Sequence, residues 1–526
     1  MIERLKRLAL ACAVAPLLGV LPADSTTANY DCRACETGTR FYQARELSLA
    51  WTGPANARLY DDLVIAVRGA ASHGLDPADY HLALLEAGNP QRADLDLDEV
   101  ATDAYLTLAA HLLSGRLNPV TIEPDWTAAR RGRDLVAYLQ AALGNDAIAE
   151  SLEALAPDQP GYHALREALA RYQALADAGG WPGVNPGLTL HPGDRGPRVA
   201  QLRARLEATG DLAPLVQPAD ASTAAPDPEF FDPALDAAVR VFQHRASLDP
   251  DGNVGALTLA QLNTSPNQRL AQIRANMERW RWLPEDLGRR HIRVNIADFS
   301  LEARNDGIVE QEHDVIVGRL YRRTPVFSGS MTYFVLNPWW ETPPSLAARD
   351  KLPAFRADPD AVTRLGFQVI DRSGALVDPA TIDWATVPAT NFPYRLRQSP
   401  GPLNALGEVK FMFPNPHNVY LHDTPTRGLF AQTRRDFSSG CVRVRDPLLL
   451  AEWVVAESPN MTPARLQTIA AGNEETRIPL SRAIPVHILY WTAVLDSETG
   501  VRFVNDVYDR DAVLIAALDS PPPPLE

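Results

Sequence analysis

The chain has 526 residues and a mass of 57.6 kDa, which is too long for one hydrophobic core and predicts several domains. Its 50 basic and 65 acidic side chains give a formal charge of -15, which argues against nucleic acid or an anionic membrane surface as a partner. A hydrophobic content of 46% is typical of folded chains and excludes wholesale disorder. Lysine occurs only at positions 6, 351 and 410, so the chain has neither the Gly-Lys pair of a P-loop nor a Ser-x-x-Lys active site.

Residues 1–28 have the pattern of an export signal. A basic start is followed by an uncharged, mostly apolar run from Leu8 to Ala23, which is the arrangement of a secretory signal peptide. The exit from this run is a mediocre cleavage site, so cleavage is expected and an uncleaved N-terminal membrane anchor stays open. Both alternatives predict that the rest of the chain is exported.

The cysteines beyond this segment are Cys32, Cys35 and Cys441, too few for a disulfide-built fold in a chain of this length. Cys32 and Cys35 are spaced like a redox motif or half a zinc site. Because no second pair exists, we expect a local disulfide in an oxidising compartment. Cys441 is then unpaired, and we interpret it as a candidate reactive thiol.

The hydrophobic patterns predict a multidomain α+β protein. Residues 36–180 have apolar side chains at helical spacing and predict an α-helical scaffold. A stretch rich in Gly and Pro leads into a short helical unit over 186–265. From 270 to 515, short alternating runs predict a β-rich domain with a Pro- and Asp-rich insertion at about 340–402. Residues 516–526, rich in proline, are expected to form a flexible tail.

A compact signature marks the unit over 186–265. Gly193-Asp194-Arg195-Gly196 begins one predicted helix, Asp232-Pro233 supplies the N-cap and first turn of a second, and Asp251-Gly252 precedes a third. This pattern resembles the three-helix peptidoglycan-binding domain of cell-wall enzymes, although a generic small bundle has the same spacing. The Pro- and Ala-rich stretch 214–228 is expected to be a surface loop.

Two short segments carry the candidate chemistry. The strand period of two places Asn418, Tyr420 and His422 on one face of the first segment. In the second segment, Cys441 and Arg443 share a face. A thiol beside an imidazole can act as nucleophile and general base, and an arginine can hold a substrate anion.

These segments resemble a known family. Tyr420-Leu-His422-Asp-Thr-Pro, followed by Ser439-Gly440-Cys441-Val-Arg443, is similar to the signature of the L,D-transpeptidases, in particular their long periplasmic branch. Members often have histidine directly before the Gly-Cys pair, where this chain has Ser439, so His422 is the base that we nominate. The predicted catalytic residues are Cys441 and His422, and the predicted oxyanion or substrate-binding residues are Gly440, Arg443, Ser439, Tyr420, Trp340 and Asn418.

The resemblance implies acyl transfer on peptidoglycan stem peptides without a metal or a cofactor. The thiolate attacks the bond between the third and fourth residues of a tetrapeptide stem, releases D-alanine and passes the acyl group to an amine. The product is a 3-3 cross-link in cell wall biogenesis, whereas water as acceptor gives L,D-carboxypeptidase activity. The resemblance also implies that the insertion caps the donor groove, that the protein lies in the periplasm of a Gram-negative bacterium, and that carbapenems acylate it.

Two other functions stay open from the sequence alone. A non-catalytic peptidoglycan-binding scaffold with an inactive transpeptidase-like domain would have the same domains, although the presence of Cys441 and His422 disfavours it. A metal-dependent amidase or peptidase could use His417, His422 and Asp423 as ligands. These three positions mix strand faces, and such a site would leave the cysteine signature unexplained.

Overall fold

The computed structural model describes residues 30–128, 130–215, 227–458, 460–497 and 500–525. The predicted signal or anchor over 1–28 and the centre of the predicted loop 214–228 lie outside these residues. The chain divides into two compact units. The first comprises the described parts of Met1–Pro124, Ala128–Glu285 and Trp491–Glu526, and the second comprises those of Asp125–Thr127 and Asp286–Tyr490.

The predicted helical scaffold is confirmed in the first unit. Its core surrounds the helix Leu95–Ser114, most of whose side chains are buried. Asp94 caps this helix by accepting the Leu97 N–H at 3.2 Å, and a disulfide joins Cys32 to Cys35, as expected. The scaffold helices are Cys35–Ala44, Ala57–Gly69, Leu82–Ala87, Leu95–Ser114, Pro119–Ile122, Leu135–Gly144, Ile148–Glu153 and Pro160–Asp177.

The predicted three-helix unit is also present. In the described parts of 186–265, the helices Pro197–Ala208, Pro233–Arg245 and Ala256–Leu262 enclose a core of their own. The second helix begins as its sequence predicts, because the Asp232 carboxylate accepts the Leu235 N–H at 2.8 Å.

The boundary of the β-rich unit differs from the expectation. The helix Pro266–Arg281 and the residues from 491 onward belong to the first unit. The Trp280 and Trp491 rings stack with centroids 4.3 Å apart, and the Asn276 amide donates to the Thr492 hydroxyl at 2.8 Å. The expected limits of 270 and 515 are therefore corrected to 286 and 490. These contacts join segments that are far apart in the chain, so no local sequence pattern reveals the boundary.

The expected flexible tail is also corrected. Asp511–Leu518 is a helix, and the hairpin Ala493–Asp496 with Gly500–Phe503 precedes it. The Leu525 N–H donates to the Arg33 carbonyl at 2.9 Å, and the Leu525 side chain packs against the scaffold core. The proline run cannot form a helix, but these contacts hold its end in place.

In the described residues of the second unit, eight strands form a closed barrel. These strands are β1 (Arg290–Asn295), β2 (Ser300–Asn305), β3 (Ile308–Ile316), β4 (Phe327–Leu336), β9 (Val409–Met412), β10 (Leu421–His422), β11 (Val442–Val444) and β12 (Thr476–Leu489). Their order around the barrel is β1-β12-β4-β9-β10-β11-β3-β2, and the β1–β12 and β10–β11 pairs are parallel. The same unit contains the helices Pro447–Val454 and Pro463–Ala470.

The insertion between β4 and β9 forms its own small α+β layer. Its sheet has the order β5-β8-β6-β7, with β5 (Trp340–Glu341), β6 (Phe367–Ile370), β7 (Leu376–Val377) and β8 (Arg395–Gln398). The helices Leu352–Ala357 and Ala361–Arg364 cover a core that includes Phe355 and Trp384. The sheet was not expected, because its strands are short and do not alternate. No helix in the described part of the chain is long and apolar enough to cross a bilayer.

Candidate active site

The candidate nucleophile and base lie on neighbouring strands of the barrel. Leu421 on β10 pairs with Val442 on β11, and His422 pairs with Arg443, in parallel register. Leu421 and Val442 are fully buried in the barrel, so the alternation places Tyr420 and His422 on the opposite face together with Cys441 and Arg443. The structure thus brings the two predicted segments together in one site.

Asn418 does not follow the predicted alternation. The strand covers only Leu421–His422, and Asn418 has a φ of 54° in a turn before it. Its exposed side chain is therefore not placed by the strand period that aligns Tyr420 and His422. The Asn418 carbonyl oxygen instead lies 3.9 Å from the Cys441 sulfur, which donates to it. The structure therefore shows a backbone contact of Asn418 with Cys441, and the oxyanion or substrate-binding role of Asn418 stays a prediction.

The Cys441 sulfur lies close to hydrogen-bond donors and to two cations. The Tyr420 hydroxyl and backbone N–H are within hydrogen-bonding reach of the sulfur, and the Trp340 indole reaches the same hydroxyl. Burial raises the pKa of the Cys441 thiol, and this effect outweighs the lowering by the Tyr420 donors and by the charges of Lys410 and Arg443. The thiol is therefore protonated at neutral pH and needs a base to become a nucleophile.

His422 is held as a neutral imidazole. Its Nδ1–H donates to the Asp423 carbonyl at 2.5 Å, which leaves Nε2 as the nitrogen that can accept a proton. Burial, helped by the charges of Arg443 and Lys410, lowers the pKa of His422 to about 3. The Tyr420 ring packs edge-on against the imidazole, with centroids 5.5 Å apart, and fixes its plane.

The turn before Cys441 depends on glycine at position 440. Gly440 has a φ of 115°, a conformation that other residues rarely adopt. Its carbonyl accepts from the Thr324 hydroxyl at 2.9 Å, and its N–H donates to the Ser438 hydroxyl at 3.1 Å. Ser438 in turn donates to the Cys441 carbonyl at 2.6 Å. The Gly440 N–H is thus engaged by Ser438 in this structure. The use of the backbone N–H groups of Gly440 and Cys441 as oxyanion donors stays a prediction.

Ser439 connects the nucleophile turn to the insertion. The Ser439 hydroxyl accepts from the Arg322 guanidinium at 3.1 Å. The same guanidinium forms a bidentate ion pair with Asp350 of the insertion, at 2.5 and 2.6 Å. Ser439 occupies the position where members of the family often have histidine. Through Arg322, its hydroxyl links the turn before Cys441 to Asp350 of the insertion.

Trp340 is mainly a core residue of the insertion. Its side chain is 8% exposed and packs in the insertion core. The part of it that reaches the site is the indole N–H beside the Tyr420 hydroxyl. Trp340 thus supports Tyr420 through this N–H, and its substrate-binding role stays a prediction.

Two lysines at the site were not among the residues predicted from the sequence. The Lys410 Nζ lies 4.2 Å from the Tyr420 ring centroid, and its charge favours the Cys441 thiolate. Lys351 of the insertion interacts electrostatically with Arg443, and burial lowers the Lys351 pKa. The composition contained a signal for these two positions. Beyond Lys6 they are the only lysines in the sequence, whose other basic side chains of this kind are arginines.

The geometry does not support the metal-dependent alternative. The Asp423 carboxylate accepts the Glu408 N–H at 2.9 Å and pairs with Arg427 at 3.4 Å, while the His417 ring packs against Phe327. In the described residues, no group of three His, Cys, Asp or Glu side chains is placed to hold a metal ion. Asp423 is accordingly a structural residue whose carbonyl orients His422.

Three domain families match parts of the chain. The model of a scaffold domain matches residues 37–169, that of a "Putative peptidoglycan binding domain" matches 195–262, and that of the L,D-transpeptidase catalytic domain matches 289–474. A curated Haemophilus influenzae protein named "Putative L,D-transpeptidase" is 38% identical over 249 residues, which cover 47% of this chain and 50% of that protein. The chain therefore spans about half the length of the curated relative it matches.

Two solved structures are also similar. An L,D-transpeptidase (residues 123–326) from Xylanimonas cellulosilytica DSM 15894 is 16% identical, with a TM-score of 0.16 and coverage of 58% of this chain and 98% of that one. An L,D-transpeptidase from Mycobacterium smegmatis is 10% identical, with a TM-score of 0.17 and coverage of 38% and 58%.

Residues 289–474, which match the L,D-transpeptidase catalytic domain, thus contain a thiol and an imidazole on one face of the barrel. The matched catalytic domain, the matched peptidoglycan-binding domain and the curated relative support the resemblance to the L,D-transpeptidases that the sequence shows.

Proposed function

We propose that this protein is a peptidoglycan L,D-transpeptidase in which Cys441 is acylated by a tetrapeptide stem and then forms 3-3 cross-links. The observation that carries the proposal is the position of the Cys441 sulfur, which has Tyr420 donors beside it and a neutral His422 on the same sheet face. Neither a metal nor a cofactor is needed for this chemistry.

Acylation begins with a proton transfer. As the donor carbonyl approaches, His422 Nε2 takes the thiol proton, and the sulfur bonds to the carbonyl carbon of the third stem residue. The Cys441 N–H and the neighbouring backbone stabilise the resulting oxyanion. The imidazolium then gives its proton to the amide nitrogen, the C–N bond breaks, and D-alanine leaves.

The cations at the site favour an anionic donor. The positive charges of Lys410 and Arg443 lower the pKa of the Cys441 thiol, and Lys351 interacts electrostatically with Arg443. The buried Arg443 Nε has no hydrogen-bond partner in the described part of the chain. A guanidinium with an unused N–H is suited to hold a carboxylate. The terminal carboxylate of the stem is the group that we assign to Arg443.

The acceptor decides the final product. An amine that attacks the thioester gives a proton to His422, releases the thiolate and leaves the two stems joined. Water reacting in the same way gives L,D-carboxypeptidase activity. The matched peptidoglycan-binding domain supports an amine acceptor, because holding the polymer raises the local concentration of neighbouring stems. Together with the export pattern of residues 1–28, this domain supports an exported protein of the cell envelope. The resemblance to the long periplasmic branch favours the periplasm of a Gram-negative bacterium.

Intact mass after exposure to a carbapenem tests the nucleophile. We expect a single adduct on the full chain, lost in Cys441→Ala and formed more slowly in His422→Ala. His417→Ala is the matched control, because His417 lies on the same segment but packs against Phe327. The absence of an adduct on folded, reduced protein would favour the non-catalytic scaffold instead.

A further inference from the structure

A cavity of about 560 Å³ lies in the first unit, in a region to which no function has been assigned. Its volume is in the range of small-molecule sites. The end of the helix Leu95–Ser114, the residues that follow it, the segment 130–135 and the C-terminal residues Pro523–Leu525 all contribute to its wall. The cavity is therefore built from distant parts of the sequence.

The wall is strongly basic in a chain whose formal charge is -15. The one carboxylate among the described lining residues, Asp134, caps a helix by accepting the N–H groups of Val136 and Ala137. The cavity thus concentrates positive charge. Its described arginines are Arg40, Arg116, Arg130, Arg131 and Arg133.

Part of this charge has a structural role. Arg130 and Arg131 donate to the carbonyls of Ser114 and Leu112, at the C-terminal end of a helix where cations are favourable. Arg40 and Arg133 are different, because both are exposed and neither is held by a close ion pair. Arg40 donates to Thr37 at 3.5 Å, and Arg133 lies 3.9 Å from Glu285. The Arg133 guanidinium also lies 5.0 Å from the centroid of the Tyr138 ring. An oxyanion bound in the cavity would give both guanidinium groups shorter partners than these.

His111 supplies a second, independent sign of a ligand. Its side chain is 1% exposed and lines the cavity, and its Nε2 has no partner in the described part of the chain. The Tyr80 hydroxyl lies 2.9 Å from Nδ1 and has no other acceptor among the described residues, so it donates to Nδ1. Nε2 then carries the hydrogen of the neutral ring and is an unsatisfied buried donor, which is costly unless something accepts from it.

Arg116 is a second buried side chain with an N–H that has no partner in the described residues. It is 7% exposed, lines the cavity and pairs with Asp79 at 3.1 Å. Other nitrogens of the guanidinium donate to the carbonyls of Leu518 and Ser520, but its buried Nε has no partner in the described residues. Two buried N–H donors and several cations in one cavity, with few acceptors, match a ligand that is itself an acceptor and negatively charged.

We propose that this cavity is a binding site for a small anionic ligand bearing carboxylate or phosphate groups. Oxyanions of both kinds accept from guanidinium and imidazole N–H groups. The site is separate from the Cys441 chemistry and does not depend on the proposed transpeptidation.

Calorimetric titration of the full chain with citrate and with inorganic pyrophosphate tests the site. We expect one saturable site, weakened about tenfold or more in Arg40→Gln/Arg133→Gln, which is the loss expected from removing one or two charge-assisted hydrogen bonds. The matched control is Arg58→Gln/Arg92→Gln, which removes two exposed scaffold arginines outside the cavity and the same net charge. Its binding should stay within about twofold of the unsubstituted chain.

The outcomes distinguish carboxylate from phosphate ligands, and a specific site from general charge attraction. Binding of citrate alone assigns carboxylate ligands, binding of pyrophosphate alone assigns phosphate ligands, and either result supports the site. Equal weakening in the two double variants would mean general charge attraction and would overturn the proposal, as would failure of both probes to saturate. Because the readout is binding, a chain without transpeptidase activity could still pass the test.

Discussion

Replacing Tyr420 by Phe removes one oxygen atom from the immediate surroundings of the nucleophile. The Tyr420 hydroxyl is a donor within reach of the Cys441 sulfur and is itself reached by the Trp340 indole. A hydrogen bond to a charged acceptor contributes roughly 1.5–3 kcal/mol, so its loss should raise the thiol pKa by about one to two units. The same loss in the transition state should slow acylation about 10- to 150-fold. The Trp340 N–H left without its acceptor should lower stability by about 1–3 kcal/mol.

The assay measures two rates on the same protein. Alkylation by iodoacetamide across pH reports the thiol pKa, and the rate of adduct formation with a carbapenem reports acylation. Tyr333→Phe is the matched control, because Tyr333 lies on β4 of the same barrel with its ring under Arg477. Unchanged alkylation and acylation rates in Tyr420→Phe would refute the idea that this hydroxyl stabilises the thiolate.

The Cys441 thiol, the Gly440 backbone and the buried histidines give three further predictions. The raised pKa of Cys441 predicts that alkylation increases from pH 7 to pH 9; a plateau below pH 7 would show a preformed ion pair instead. Gly440→Ala, strained by about 1–3 kcal/mol at a φ of 115°, should abolish acylation, whereas Gly428→Ala, with nothing within 4 Å of the added Cβ, should leave the rate and the melting temperature unchanged. His422 and His291 are buried with pKa values lowered to about 3 and about 4, so the unfolded chain takes up these protons first as pH falls below about 6.5. Each histidine should remove about 2 kcal/mol of stability between pH 6.5 and 5, measured by urea unfolding, and an unchanged midpoint at pH 5 would contradict this.

Local motifs account for what the sequence could predict. The positions of Cys441 and His422 on one face follow from a strand period of two in adjacent segments, and they agree with the observed register. Asp232 and Pro233 begin their helix as capping rules predict. Such features depend on residues close together in the chain, so a single sequence contains the necessary information.

Other features depend on contacts that no local pattern encodes. The β-rich unit ends at 490 because Trp491 stacks on Trp280, a partner far away in the sequence. Asn418 leaves the strand face because its backbone adopts a positive φ, which alternation does not predict. Lys410 reaches Tyr420 from the neighbouring strand β9, so its place at the site follows from the closure of the barrel.

Transfer of a stem peptide from Cys441 to an amine can be followed through its products. Purified disaccharide-tetrapeptide is incubated with the full chain and with Cys441→Ala, and the products are identified by mass spectrometry with fragmentation. We expect a dimer that has lost one D-alanine and is joined between two third residues, formed only when Cys441 is present. A tripeptide monomer as the sole product, or the same dimer from Cys441→Ala, would contradict it.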